Sequence, residues 1–169
     1  LERTKETTLS KVQPGRFTAE IDGEFVVFII GMRFNKLWKV HQWWPVFTAM
    51  PRMIKDLMQH PDKGLLSLRG AWAGRTVTII QYWRSFEQLE AFARNQDDPH
   101  WQPWRDFNRK VGKSGDVGVY HETYRIAPGQ FESIYSNMPP MGLALAGRHV
   151  AVGARTEAAR DRMKAAATA

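Results

Sequence analysis

The sequence predicts an α+β fold of the ferredoxin-like βαββαβ type, and three observations lead to it. The stretch Phe25–Arg33 (FVVFIIGMR) is a near-continuous apolar run, the pattern of a strand buried on both faces. Thr76–Trp83 and Val117–Ile126 alternate with the strand period of two, and Leu65–Trp72 does so more weakly. Helically spaced stretches separate the strands, so the order reads β-α-β-β-α-β with extensions at both ends. An antiparallel sheet with helices on one face follows.

Residues 1–15 read as an N-terminal arm ended by Pro14-Gly15, residues 16–136 as the α/β domain, and residues 137–169 as a C-terminal extension. Phe17, Ala19 and Ile21 alternate, and Asp22-Gly23 is a hairpin signal leading into the central strand at about 24–33. Asn35 is a candidate N-cap for a helix starting at Lys36. That helix carries Leu37, His41, Trp44 and Thr48 as a stripe, with Val40, Trp43 and Phe47 beside it. Pro45 is expected to kink or divide it, and Pro51 to open a second piece reaching Gln59.

After His60–Gly64, the segments Leu65–Trp72 and Thr76–Trp83 form strands joined at Ala73-Gly74. On the second, Val77, Ile79, Gln81 and Trp83 share one face, and Thr76, Thr78, Ile80 and Tyr82 the other. Ser85 and Gln88 make a capping box for a helix that buries Phe86, Leu89 and Phe92. Asp98-Pro99 opens a further helix striped by His100, Trp104, Phe107 and Val111. The strand Val117–Ile126 places Val117, Val119, His121 and Thr123 on one face. Phe131–Ser136 is a candidate extra strand, 137–153 lacks pattern, and Thr156 is a candidate cap for a terminal helix.

A chain of 169 residues suits one sizeable core. The aromatic fraction of 12%, with seven Trp, calls for either a large-celled core or an aromatic-lined pocket. The absence of Cys excludes disulfides, thiolate metal sites and a cysteine nucleophile, and fits a cytoplasmic location. The polar N-terminal stretch has no signal-peptide character, and the apolar run at Phe25–Met32 is too short to span a bilayer. The net charge of +7 comes from scattered Lys and Arg without a run, so the expectation is a solvated basic surface that binds neither nucleic acid nor membrane. Because the strands are apolar on both faces, the sheet face without helices needs cover, and a homodimer packed sheet to sheet supplies it.

Gly-rich phosphate loops, G-x-S-x-G, C-x-x-C and paired carboxylates are missing. His121-Glu122-Thr123-Tyr124 lies on a strand, so it is not the helical H-E-x-x-H zinc motif, and no two-histidine metal pair occurs on either histidine-bearing helix. The chemistry is then cofactor-free or carried by a group that leaves little sequence trace, as haem does. His41, His100 and His121 are each open to a structural or an active role, and each is a candidate axial ligand if haem binds. His121 pairing across strands with Gln81 is one arrangement open to it. Arg33, at the end of the central strand, can hold an anionic or enolate oxygen. Tyr82 and Trp83 add a polar-aromatic strand end.

The segments FVVFIIGMRFNKLW, AMPRMIKDL, QYWRSFEQLEAFAR, WRDFNRKVG, DVGVYHETY and NMPPMGLA, in order over about residues 14–155, resemble a bacterial and fungal monooxygenase-like family with a member in the fumagillin pathway. The resemblance implies the dimeric α/β-barrel superfamily. That group includes small antibiotic-biosynthesis monooxygenases and, more remotely, haem proteins such as chlorite dismutases and aldoxime dehydratases. By analogy with the cofactor-free members, Arg33, Asn35 and His41 are candidate catalytic residues. Trp38, Trp44, Tyr82, Trp83, Trp104 and His121 are candidate substrate-binding residues. The function so implied is oxidation of a small hydrophobic metabolite without metal or flavin. The alternatives are a haem protein of the same fold and a non-enzymatic dimer that binds a hydrophobic ligand.

Overall fold

The computed structural model describes residues 11–95, Arg105, Arg109 and 113–168. They fall into two units, Glu24–Ile126 and the described residues up to Gly23 joined with those from Ala127 onward. The elements before and within the larger unit are β1 (Gln13–Glu20), β2 (Phe25–Phe34), α1 (Val40–Gln59), a 3-10 turn (Pro61–Lys63), β3 (Leu65–Ala73), β4 (Thr76–Trp83), α2 (Phe86–Arg94) and β5 (Val117–Ile126). After them come β6 (Tyr135–Met138), α3 (Leu143–Ala146), β7 (Arg148–Ala151) and α4 (Ala159–Ala166).

In the unit Glu24–Ile126 the strands form an antiparallel sheet in the order β3-β4-β2-β5. The apolar run of β2 is therefore an inner strand, and β2 and β3 run parallel with β4 between them, the split βαβ arrangement. The register aligns Val26 with Trp83, Ile30 with Ile79 and His121, and Met32 with Val77 and Val119. Side chains alternate, so Val26, Phe28, Ile30, Met32 and Phe34 share one face. Both helices pack on that face. Met32, Phe34 and Val117 form one core cluster with Trp43, Val46 and Phe47 of α1. Val26 and Trp83 form a second with Leu57 of α1 and Leu89 of α2.

The other face carries Tyr120, whose ring lies across Gly31 and whose hydroxyl is 2.8 Å from Thr78 Oγ1. A Cβ built on Gly31 would stand 2.7 Å from Tyr120 Cζ, so only glycine lets the ring cross the strand there.

Asn35 does not cap α1. The helix begins at Val40 after Lys39, without a side-chain cap bond. It runs unbroken through Pro45 and Pro51 to Gln59, where a division was expected. Proline has no N–H, so the carbonyls of His41 and Phe47 lack their ordinary helical donors. Thr48 Oγ1 donates to Trp44 O at 2.9 Å beside the first gap. Ser85 caps α2 as expected, its Oγ accepting from Gln88 N at 3.2 Å. The Gln88 side chain turns instead to Asp62 O at 3.1 Å. Of the helix expected from Pro99, Arg105 and Arg109 are described, and both are helical.

The smaller unit is a three-stranded antiparallel sheet in the order β6-β1-β7. Asp22-Gly23 does not close the expected hairpin, because β1 pairs with β6 and β7 rather than with β2. The extra strand expected at Phe131–Ser136 forms further along, at Tyr135–Met138, and the patternless segment holds α3 and β7. Thr156 does not cap α4, which starts after Ala158. Buried Arg162 ties α4 to Glu132 at 2.8 Å.

Candidate functional site

Burial along β2 is the reverse of what an inner strand ordinarily shows. Its ends are sealed, with Val26 2% and Phe34 3% exposed, while the central residues Phe28 and Ile30 are only half-buried. The two core clusters lie to either side of this stretch. Between them run two cross-strand rows on the helix-bearing face: Phe28 with Gln81 and Thr123, and Ile30 with Ile79 and His121. Gly70 continues the second row on β3, and a Cβ placed there would meet nothing within 4 Å. Phe28 packs against the second cluster, Ile30 lies half-buried between the two, and His121 stands exposed beside it on the edge strand β5. The His121 ring lies 5.7 Å from that of Phe28, tilted by 39°.

The far end of the sheet forms a basic and aromatic rim. Buried Asp116 organises it. Its carboxylate oxygens each stand 2.7 Å from a lysine ammonium, Lys36 on one and Lys39 on the other. Its main-chain oxygen accepts from Asn35 N and Lys36 N at 3.1 Å. The Lys36 ammonium, with Lys39 second, lowers the Asp116 pKa from 3.8 to about 2. Asn35 Nδ2 donates to Gly115 O at 3.0 Å, and Asn35 Oδ1 accepts from Arg33 Nη1. Arg75 Nη1 reaches Asn35 O at 3.4 Å.

The residues singled out in the sequence take different places. Arg33 and Asn35 are joined by their hydrogen bond. His41 is exposed in the first turn of α1, its Nε2 3.2 Å from Gln42 Nε2. Trp38 and Trp44 are exposed near it. Trp83 is fully buried, donating to Gln81 Oε1 at 2.8 Å, and Tyr82 points to the opposite face of β4. His121 and Gln81 do not pair, because they occupy different rows with β2 between them. His100 and Trp104 lie outside the described residues. The reading of the sequence passed over Asp116, which is distant in the chain from the lysines it binds. Nor does an apolar run distinguish half-buried Phe28 from any core residue.

A haem needs an axial donor and an apolar slot. His121 has the Phe28 ring beside it, and His41 stands in the first turn of α1; both are exposed. Among the described residues no group of three or more His, Asp or Glu is placed to hold a metal ion.

A family model described as monooxygenase af470-like matches residues 25–143. A curated relative from Aspergillus fumigatus, monooxygenase af470, is 27% identical over 155 residues, which cover 79% of this chain and 54% of the relative. The chain thus spans about half the length of that relative. Among solved structures, an aldoxime dehydratase co-crystallised with butyraldoxime matches with a TM-score of 0.59 at 14% identity, over 92% of this chain and 45% of that one. A cofactor-independent oxygenase from Streptomyces nogalater, SnoaB, matches with a TM-score of 0.42 at 10% identity, over 60% of this chain and 91% of that one. The fold is that of the α+β dimeric α/β-barrel proteins.

Proposed function

This chain belongs to the monooxygenase af470-like family, and on that premise we propose that it oxidises a small hydrophobic metabolite without metal or flavin. The observation that carries the reading is the half-buried apolar centre of β2, Phe28 and Ile30, with the exposed His121 imidazole beside it on β5. An apolar slot with few polar groups suits a flat hydrophobic substrate. The imidazole beside it is the group that would take a proton from an activated C–H. The resulting carbanion gives electrons to dioxygen. A CH₂ group then becomes C=O, the second oxygen atom leaves as water, and the substrate carbon supplies all the electrons. In this reading the hydroxyl of Thr123, on the same face of β5 as His121, donates a hydrogen bond to the developing oxyanion. Arg33, Asn35, Trp38, His41 and Trp44 stand at the basic and aromatic end of the same sheet, and the protein works as a cytoplasmic homodimer.

Oxygen uptake against electron-rich aromatic and terpenoid compounds tests the proposal. The expected result is turnover unaffected by chelator, falling about 10²–10⁴-fold in His121→Ala as for the loss of a general base. Turnover unchanged in that variant would overturn the assignment.

One observation favours the haem alternative, namely that His121 is a single imidazole beside an apolar slot. His121, Phe28 and Ile30 are the residues that would hold a haem, which would supply redox and Lewis-acid chemistry. Absorption spectra after adding hemin separate the readings. A stoichiometric Soret band lost in His121→Ala would replace the cofactor-free reading.

A further inference from the structure

The β2–α1 loop, the first turn of α1 and the end of β3 share a surface whose composition the oxidation chemistry does not require. Leu37 is 47% exposed, Trp38 73%, Val40 48%, Trp44 53% and Trp72 65%. Contiguous apolar exposure of this kind marks an interaction surface. The indoles of Trp72 and Trp44 are held in place. Trp72 stacks on buried Phe34 with ring centroids 5.9 Å apart, and its Nε1 donates to Gly74 O at 2.9 Å. Trp44 packs on Trp43 at 5.9 Å and on Phe47 at 6.2 Å. Their outer surfaces therefore meet water without the freedom to fold inward.

The same surface is positively charged. Lys36 and Lys39 share the single carboxylate of Asp116. Arg33 and Arg75 bond only to neutral oxygens of Asn35 and have no carboxylate partner among the described residues. Cations exceed anions around a cluster of exposed indoles. Indoles settle at the headgroup level of a bilayer, and cations draw in anionic lipid.

We propose that the chain docks peripherally on an anionic membrane surface through this patch, with Trp38, Trp44 and Trp72 at the headgroup boundary and Arg33 and Arg75 against lipid phosphates. Docking is peripheral because no described helix is long and apolar enough to cross a membrane. A second copy of the chain is the poorer occupant. A two-fold contact through the patch would set Arg33, Arg75 and the lysines against their own kind. The inference stands on the patch alone and is independent of the oxidation chemistry. It replaces the expectation from composition that the basic charge is merely solvated.

Flotation of the full chain with vesicles tests it, comparing phosphatidylcholine alone with a mixture containing roughly a third phosphatidylglycerol. Binding is expected to the anionic vesicles only, and to weaken with salt. Arg75→Gln should weaken it about fivefold, as for the loss of one cation near the surface. Trp72→Ser should weaken it by roughly tenfold or more through lost apolar burial. Val40→Ser gives a second apolar probe if Trp72→Ser perturbs the fold through Phe34, which circular dichroism would reveal. Absence of binding, equal binding to neutral vesicles, or wild-type binding by Arg75→Gln and both apolar variants would overturn the proposal. So would a vesicle-free dimer that dissociates in Trp72→Ser, since the patch would then belong to a second copy.

Discussion

Asp116 holds the β2–α1 loop by two ammonium contacts and two main-chain bonds, so the order of the rim depends on one carboxylate. Its pKa is lowered on folding, from 3.8 to about 2. A depressed carboxylate stabilises the folded state fully above its unfolded pKa, and that contribution disappears as pH falls through the folded one. Thermal melts from pH 5 to pH 2 should show a loss of stability in this window that is reduced in Asp116→Asn, which has no proton to gain there. Gly31 makes a second residue-scale case. Gly31→Ala drives a methyl into the Tyr120 ring and costs the bond to Thr78, so destabilisation of about 1–3 kcal/mol is expected. Tyr120→Ala in the same chain should recover part of that loss, as a double-mutant cycle by denaturant unfolding would measure. Neither arrangement was legible in the sequence. Asp116 and Lys39 are 77 residues apart, and the Tyr120 ring meets Gly31 only once β5 pairs with β2 in this register.

The elements that were legible are those whose signals are local. Ser85 followed by Gln88 before an apolar stripe is such a signal, and the cap is present. Ser85→Ala should cost about 1 kcal/mol, read as a lowered midpoint in urea at unchanged slope. The alternation of β4 and β5 likewise placed Ile79, Gln81 and Trp83 on one strand face and His121 and Thr123 on another, and the register makes these a single face of the sheet. Local signals failed where a distant partner decided the outcome. Asp22-Gly23 has hairpin chemistry, yet β1 takes its hydrogen bonds from β6 and β7, more than a hundred residues away. Asn35 has cap chemistry, but its carboxamide is bonded to Gly115 and Arg33 instead.

For the whole molecule, the order β-α-β-β-α-β sufficed to reach the sheet order β3-β4-β2-β5, because few topologies satisfy it. The half-burial of Phe28 and Ile30 was out of reach, since it depends on how two core clusters divide one face between them. The proposed homodimer belongs to this scale. Tyr120 and Tyr124 are exposed on the face of the sheet opposite the helices, with Tyr124 hydroxyl donating to Glu122 at 2.8 Å. Sedimentation equilibrium should give a dimer, and Tyr124→Arg should shift it toward monomer if that face is the contact. A wild-type monomer at micromolar concentration would remove the dimer from the proposal.

Helix α1 contributes Trp43 and Phe47 to one cluster and Leu57 to the other, so its middle crosses the centre of the sheet. Pro45 and Pro51 each omit a rung of its hydrogen-bond ladder. A helix with missing rungs bends more cheaply than the sheet beneath it, whose inner strand is paired on both sides. The helix layer can therefore flex while the sheet stays still, and the softest points of this half of the molecule are two prolines.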